Sequence, residues 1–291
     1  MIQVKADHLL HVQNLLGEGP LWHPSERQYY WVDIERGDIL TYSPSTLRME
    51  THSIGTSVGA LGFRDSGGLI LACGLGFATW DSLAKKLHVI YDPIGDQPGV
   101  RLNDGRVDAS GRFWAGGLDR KGQTGLFRLD PDLRCHTMLT NIKTSNGLAW
   151  SLDQKIFYYT DTGDYSIYKF DFDPVNGTIK NRKVFVQLPA DRSKGVPDGL
   201  TIDSEGFIWS AHWDGGKITR YDPSGKPVLE VILPVSRVTS CTFGGDDLQD
   251  LFITTASTGL SKAQKLKEPL AGDVFIYRTG IKGLPASYFT G

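Results

Sequence analysis

No apolar stretch in this chain approaches the ~18 residues a membrane-spanning helix requires, and no block of Lys and Arg stands out along it. With a formal net charge of −2 and a pI near 6.4, it carries no electrostatic footprint for nucleic acid or an anionic membrane. Cysteine is scarce. The three present, Cys73, Cys135 and Cys241, lie far apart with no C-x-x-C pair. An odd count without a framework reads as free, mostly buried thiols in a reducing compartment. Met1 to His8 shows no basic stretch followed by an apolar one, so no secretory leader is expected and the cytoplasm is the expected location.

Several spellings that would carry chemistry also fail. Gly55-Thr-Ser57-Val-Gly59 matches a nucleophile elbow, but no helical period follows it, so Ser57 is not expected to attack anything. Asp173-Pro-Val-Asn-Gly is a β-turn rather than a calcium loop, because the ligand spacing of that motif is missing. None of the seven histidines reads as paired with another at metal-ligand spacing.

What is abundant is glycine, at 34 residues, punctuated by Trp, Tyr and Phe. That mixture suits many short strands joined by tight turns. The strands fall into a repeat. Aligning the strand openings at Glu18, Gly59, Asn103, Asn146, Asp198 and Ser240 gives spacings of about 41 to 52 residues, the period of propeller blades. Each opening leads into an apolar strand, a turn such as Asp108-Ala-Ser-Gly or Asp203-Ser-Glu-Gly, and an aromatic strand such as Phe113-Trp-Ala or Phe207-Ile-Trp-Ser. Six such units fill residues 1–291 and leave no room for a second domain. We therefore expect an all-β, six-bladed β-propeller with four-stranded antiparallel blades. A sandwich or solenoid would show shorter spacing between equivalent positions. Segment 2–14 is expected to pair beside Asp273-Val-Phe-Ile-Tyr as the outer strand of the last blade, closing the ring.

Four openers, Glu18, Asn103, Asn146 and Asp198, are polar where a buried strand begins. In a propeller the first strand of each blade lines the central channel, so these side chains should converge at one end of it. Strand-end capping is the competing role for any one of them alone. Glu18, Asn146 and Asp198 offer oxygen ligands only, two of them anionic, and suit one hard divalent cation. Calcium is the first choice, with zinc, manganese, magnesium and iron as alternatives. Asn103 belongs to a second ring around that ion. About 15 residues after the openers, Asp33, Leu118 with Asp119, Asp161, and Trp213 between His212 and Asp214 should ring the mouth farther out. Asp33 and Asp161 read as turn holders; His212 has the one histidine address at the mouth.

The stretches Gly17-Glu18-Gly19-Pro20, Arg101-Leu-Asn103-Asp104, Ser145-Asn146-Gly147, Pro197-Asp198-Gly199, Thr239-Ser-Cys-Thr-Phe-Gly-Gly and the tail from Gly272 through Ile281-Lys-Gly-Leu-Pro span nearly the whole chain in order. In these the sequence resembles the senescence marker protein-30/gluconolactonase family, which includes the regucalcins and luciferin-regenerating-enzyme-like proteins. The resemblance implies a six-bladed propeller with one divalent metal in the channel and hydrolysis of sugar lactones. It places metal ligands on Glu18, Asn146 and Asp198, substrate contacts on Arg101 and Asn103, and a further acidic substrate contact on the segment where Asp119 is the candidate. The expected activity is metal-dependent hydrolysis of an aldonolactone, with Asp198 also as general base and His212 beside the substrate. A metal-dependent esterase or organophosphate hydrolase, or a non-catalytic calcium-binding regulator, are the alternatives. The expected partner is a small sugar lactone, with neither nucleic acid nor membrane, and the expected state a monomer or weak homodimer.

Overall fold

The computed structural model describes residues 1–95, 97–119 and 121–291. Two short strands, β1 (Ile2–Lys5) and β2 (Asp7–Leu10), precede six blades. Blade 1 is β3 (Gly17–His23), β4 (Gln28–Asp33), β5 (Asp38–Ser43) and β6 (Arg48–Ser53); blade 2 is β7 (Val58–Arg64), β8 (Leu69–Cys73), β9 (Gly76–Asp81) and β10 (Lys86–Tyr91). Blade 3 comprises β11 (Arg101–Val107), β12 (Phe113–Leu118), β13 (Thr124–Leu129) and β14 (Cys135–Ile142), and blade 4 comprises β15 (Ser145–Trp150), β16 (Ile156–Asp161), β17 (Ser166–Asp173) and β18 (Thr178–Gln187). Blade 5 holds β19 (Val196–Ile202), β20 (Ile208–Trp213), β21 (Lys217–Tyr221) and β22 (Pro227–Ile232). Blade 6 takes three strands from the end of the chain, β23 (Val238–Gly244), β24 (Asp250–Thr255) and β25 (Val274–Arg278), and β2 as its fourth. Among the described residues no helix is long and apolar enough to cross a membrane.

Ring closure follows the expectation and goes further. β2 pairs antiparallel with β25, His8 opposite Phe275. The preceding residues do not stay on that blade. β1 runs parallel to β22, so one N-terminal segment ties blades 5 and 6 together. The other end of the chain adds a second tie: β26 (Tyr288–Phe289) lies parallel to β7 on the inner side of blade 2. Both devices cover strand edges that would otherwise be free.

The core is a set of apolar seams between neighbouring blades. Val32 and Ile39 of blade 1 pack on Leu61 and Leu71 of blade 2. Trp114 and Leu126 of blade 3 meet Phe157 of blade 4. The final seam joins Tyr29 and Trp31 of blade 1 to Phe252 and Val274 of blade 6, with the Tyr29 and Phe252 rings stacked at 4.2 Å. Each fully buried large side chain contributes roughly 1.5–3 kcal/mol, so the seams make closure of the ring energetically cooperative.

In blades 3 and 5 the turn after the inner strand is built on a buried aspartate that reaches forward six residues. Asp108 accepts the backbone N–H groups of Ser110 and Arg112, the Arg112 guanidinium at 2.7 Å and the Trp114 indole N–H at 2.9 Å. Asp203 repeats this in blade 5 with Glu205, Phe207, Trp209 (2.8 Å) and Arg220 (2.8 Å). Every oxygen is used, and each buried negative charge has a guanidinium partner. Breaking such a pair from one side leaves a buried charge uncompensated. Asp203→Ala should therefore cost about 3 kcal/mol or more in chemical denaturation; a loss below about 1 kcal/mol would mean the pair is not structural.

His212 belongs to this scaffold as well. Its side chain is 1% exposed, with Nδ1 3.0 Å from the Lys194 carbonyl and Nε2 3.3 Å from the Tyr221 hydroxyl. Burial, ahead of any neighbouring charge, lowers its pKa to about 4. The unfolded chain takes up this proton near pH 6.5 while the folded protein refuses it, so stability falls as pH drops from 6.5 toward 4. Between pH 7 and pH 4.5 His212→Gln should lose roughly 2 to 3 kcal/mol less stability than the parent. Equal losses in the two proteins would remove His212 from the acid sensitivity.

Candidate metal centre and substrate cavity

All six inner strands carry a register irregularity at the same place. It falls between residues 18 and 21 in β3, 58 and 60 in β7, 102 and 105 in β11, 146 and 148 in β15, 197 and 200 in β19, and 238 and 240 in β23. A bulge adds an unpaired residue and re-aims its side chain. Here it directs Glu18, Asn103, Asn146 and Asp198 into a cavity of about 660 Å³ at one end of the channel. Glycine is required next to two of them. A Cβ on Gly147 would lie 2.8 Å from the Asp198 carbonyl oxygen, and one on Gly199 would lie 2.2 Å from the Ser240 hydroxyl. Only bare backbone lets the inner strands approach this closely around the axis.

The four side chains are buried, at 4–5% exposure, and the two asparagines are linked across blades. Arg101 Nη1 donates to Asn103 Oδ1 at 2.6 Å and to the Leu102 carbonyl at 3.1 Å. Asn103 Nδ2 donates to the Ser145 carbonyl (2.7 Å) and to Asn146 Oδ1 (2.8 Å). Asn146 Nδ2 donates onward to Thr162 Oγ1 (2.8 Å), whose hydroxyl donates to the Pro197 carbonyl (2.6 Å). This relay runs from blade 3 through blade 4 to blade 5 and fixes which end of the Asn146 amide is oxygen. One lone pair of that oxygen is left for another partner.

Two carboxylates complete the cluster. Burial, then the charge of Asp198, then that of Asp104, push the Glu18 carboxyl well above its usual range. Burial and the Asp104 charge do the same to Asp198, with the Gly199 N–H and the Asn146 amide pulling the other way. Asp198 Oδ1 is fully buried and has no hydrogen-bond partner. An orphaned anionic oxygen beside a second buried carboxylate is costly unless a positive charge meets it. A divalent cation held by Glu18, Asn146 and Asp198 would satisfy that demand, and an all-oxygen donor set with open positions suits calcium, magnesium or manganese.

Below these ligands the channel holds a feature the sequence reading left unassigned. Asp104 is buried, its carboxyl pushed up to about 6 by burial and held back chiefly by the nearby Arg106 charge. Arg106 Nη1 reaches Thr201 Oγ1 at 3.3 Å. Alternation along β11 accounts for the pair: residues 104 and 106 share one face of the strand. At the far end lies a cavity of about 380 Å³, lined by Arg106, Trp150 and Leu284–Ser287. Its one carboxylate, Asp246, is paired with Arg27, so converging acids distinguish the first cavity alone.

Of the positions expected at the mouth, Leu118, Trp213 and Asp214 line the cavity, as do Glu35, Thr162, Arg192 and Arg237. Arg237 sits 4.8 Å over the Trp213 ring and bonds Asp214 at 3.1 Å, while Arg192 bonds the other Asp214 oxygen at 3.0 Å. Asp33 and Asp161 hold turns through the amides of Leu15 and Leu16, and of Thr144 and Gly163. Two expected substrate contacts are not brought to the site. Asp119 uses its oxygens on the amides of Lys121 (3.0 Å) and Gln123 (2.9 Å), which makes it a turn holder. His212 alternates away from the cavity into blade 5, where Lys194 and Tyr221 occupy both ring nitrogens. The neighbouring residue, Trp213, faces the cavity instead. Arg192 and Arg237 come from loops before β19 and β23, whose positions no local pattern reveals.

A family profile, the SMP-30/gluconolactonase/LRE-like region, matches residues 16–257. Regucalcin of Danio rerio is 35% identical over 298 residues, covering 100% of both chains, and regucalcin of Homo sapiens is 33% identical over 299 residues, covering 99% of each. Among solved structures, regucalcin of Agrobacterium tumefaciens, described as a calcium-binding protein, superposes with a TM-score of 0.94 at 25% identity over 99% of this chain and 98% of its own. A luciferin-regenerating enzyme superposes with a TM-score of 0.90 at 26% identity over 98% and 99%. Family profile, full-length relatives and fold agree: the chain belongs to the SMP-30/gluconolactonase/LRE-like family.

Proposed function

We propose that this protein is a metal-dependent lactonase that hydrolyses an aldonolactone to the aldonic acid, with Glu18, Asn146 and Asp198 holding one divalent cation. The observation that carries the reading is the orphaned Asp198 Oδ1, buried beside Glu18 at the floor of a cavity of about 660 Å³. That volume lies within the range of small-molecule sites, ~300–1,000 Å³. The gluconolactonase in the family name and the calcium-binding description of the Agrobacterium relative support substrate class and ion respectively.

When bound, the cation would supply Lewis-acid polarisation of the lactone carbonyl. The remaining work falls to side chains. Asp198, whose carboxylate would be shared between the cation and proton transfer, accepts a proton from a water while the water oxygen bonds to the carbonyl carbon. The bond between that carbon and the ring oxygen then breaks, and the proton passes to the freed hydroxyl. Arg101 lines the cavity with its remaining N–H groups available to the sugar hydroxyls. Asn103 acts through others: its amide orients Asn146 and Arg101 together. Trp213 on the rim offers an apolar face to the sugar ring.

A second reading rests on the relatives' name, regucalcin: a calcium-binding regulatory protein in which the ion is structural. Metal-stripped protein distinguishes them. The lactonase reading expects acid release from an aldonolactone to vanish with chelator and return with one preferred divalent metal; a regulator would change its melting temperature with calcium and hydrolyse nothing. Simple esters and organophosphates in the same panel test the remaining reading, a metal-dependent esterase or organophosphate hydrolase. Asp198→Asn should lower kcat by about 1,000-fold or more, whereas Arg101→Ala should raise KM for sugar lactones by about tenfold. Near-parental turnover in Asp198→Asn with metal bound would remove the proton-acceptor role.

A further inference from the structure

A second cluster of metal-binding side chains sits about the seam that closes the ring, away from the axial cavity. Asp273, immediately before β25, is completely buried. Its Oδ1 accepts the backbone N–H groups of Val12 and Gln13, both at 3.0 Å. Its Oδ2 faces two imidazoles, with His8 Nε2 at 2.8 Å and His11 Nδ1 at 2.9 Å. Spacing along the sequence did not mark His8 and His11 as a pair. The third donor lies more than 260 residues away, and only pairing of β2 with β25 brings it in.

The charge balance here differs from that at three turn-holding aspartates of the blades. Asp33, Asp108 and Asp203 each have a guanidinium partner. Among the described residues the ion-pair partners of Asp273 are His8 and His11 alone. A buried carboxylate without a fixed cation is an incomplete arrangement, and neutral imidazoles turn their lone pairs as readily as their N–H groups toward a shared neighbour. The three donor atoms lie within 4.8 Å of one another.

We propose that His8, His11 and Asp273 form a binding site for a borderline divalent transition metal of the zinc type. Two imidazole nitrogens and one carboxylate oxygen are a set that such ions prefer, unlike the oxygen-only set at the axis. Bonds of ~2.0–2.2 Å in a tetrahedral shell put ligand atoms about 3.3 Å apart. The observed 2.8 and 2.9 Å need to open by only about half an ångström. His8 and His11 can supply that movement, being 36% and 60% exposed, whereas Asp273 is fixed by backbone amides and by its place in the blade. His8 is steadied by the edge of Phe275 at 5.6 Å. The exposed side leaves one or more positions for water.

Such an ion would clip residues 8 and 11 to residue 273. The unfolded chain does not hold these donors together, so the ion would stabilise the closed ring specifically. This proposal is independent of the lactonase reading and of the identity of the axial ion.

The test uses the full-length, metal-stripped protein titrated with Co2+ or Zn2+ alone. The proposal expects a visible Co2+ absorption characteristic of nitrogen ligation and low coordination number. It also expects a rise in melting temperature of about 5 °C at saturating Zn2+. Glu18→Gln/Asp198→Asn, which removes both axial carboxylates, should keep both signals. Adding His8→Gln and His11→Gln to that axial variant should abolish both, while the two histidine changes alone should leave activity parental. His11→Gln alone, the milder change at the more exposed residue, should weaken the Co2+ signal at limiting metal. Survival of the absorption and the Zn2+ shift in the quadruple variant, or their loss in Glu18→Gln/Asp198→Asn, would overturn the assignment, as would their absence from the parent protein.

Discussion

Two carboxylates buried side by side, with one oxygen left without any partner, set the terms for the rest of this molecule. Like charges in a low-dielectric site repel strongly, and among the described residues no lysine or arginine offsets the Asp198 charge. Their proximity is enforced by architecture. Six sheets packed through apolar seams close into a ring, and bulges in the inner strands turn selected side chains toward the axis. Folding energy from the seams is thereby spent on holding together groups that would otherwise move apart. An enclosed, oxygen-rich site of this kind is suited to a hard cation with coordination positions to spare.

The two ends of the channel are treated differently by the chain. At the acid end, the Arg101–Asn103–Asn146–Thr162 relay fixes amide orientation across three blades, and Trp213, Asp214, Arg192 and Arg237 build a charged, aromatic rim. At the other end the C-terminal segment crosses from blade 6 toward blade 2. The Gly283 N–H bonds the Leu248 carbonyl, the Lys282 carbonyl accepts from Ser204, and Thr290 reaches Gly111. Asp104 and Arg106 lie between the two ends. The cluster of acids thus lies at one end of the channel, and the C-terminal segment spans the other.

Much of this was legible in the sequence because a repeat multiplies weak signals. A single Asn or Asp before an apolar strand reads equally well as a cap, but four at one phase of a blade-length period point to an axis. The turn aspartates were legible for the same reason, since Asp108 and Asp203 stand in near-identical segments. Resemblance to the family strengthened the expectation that Glu18, Asn146 and Asp198 hold a metal, and it supplied Arg101. The misses have causes of their own. Counting residues reached Leu118 and Trp213, which line the cavity, whereas Asp119, taken from the resemblance, and His212, one position off on the alternating strand, do not. Arg192 and Arg237 reach the rim from irregular loops. The His8–His11–Asp273 cluster depends on pairing between the two ends of the chain, which local spacing does not encode. The parallel attachment of β1 to blade 5 was likewise hidden, because the blade pattern specifies four strands and not a fifth.

The claim on which the account rests is that Glu18, Asn146 and Asp198 gather around one divalent ion. Anomalous diffraction from crystals grown with Mn2+ measures this directly. The account predicts a strong peak on the channel axis, about 2.0–2.6 Å from an oxygen of each of the three side chains. A channel without anomalous density at saturating Mn2+, or an ion that leaves the Asp198 carboxylate unligated, would contradict it.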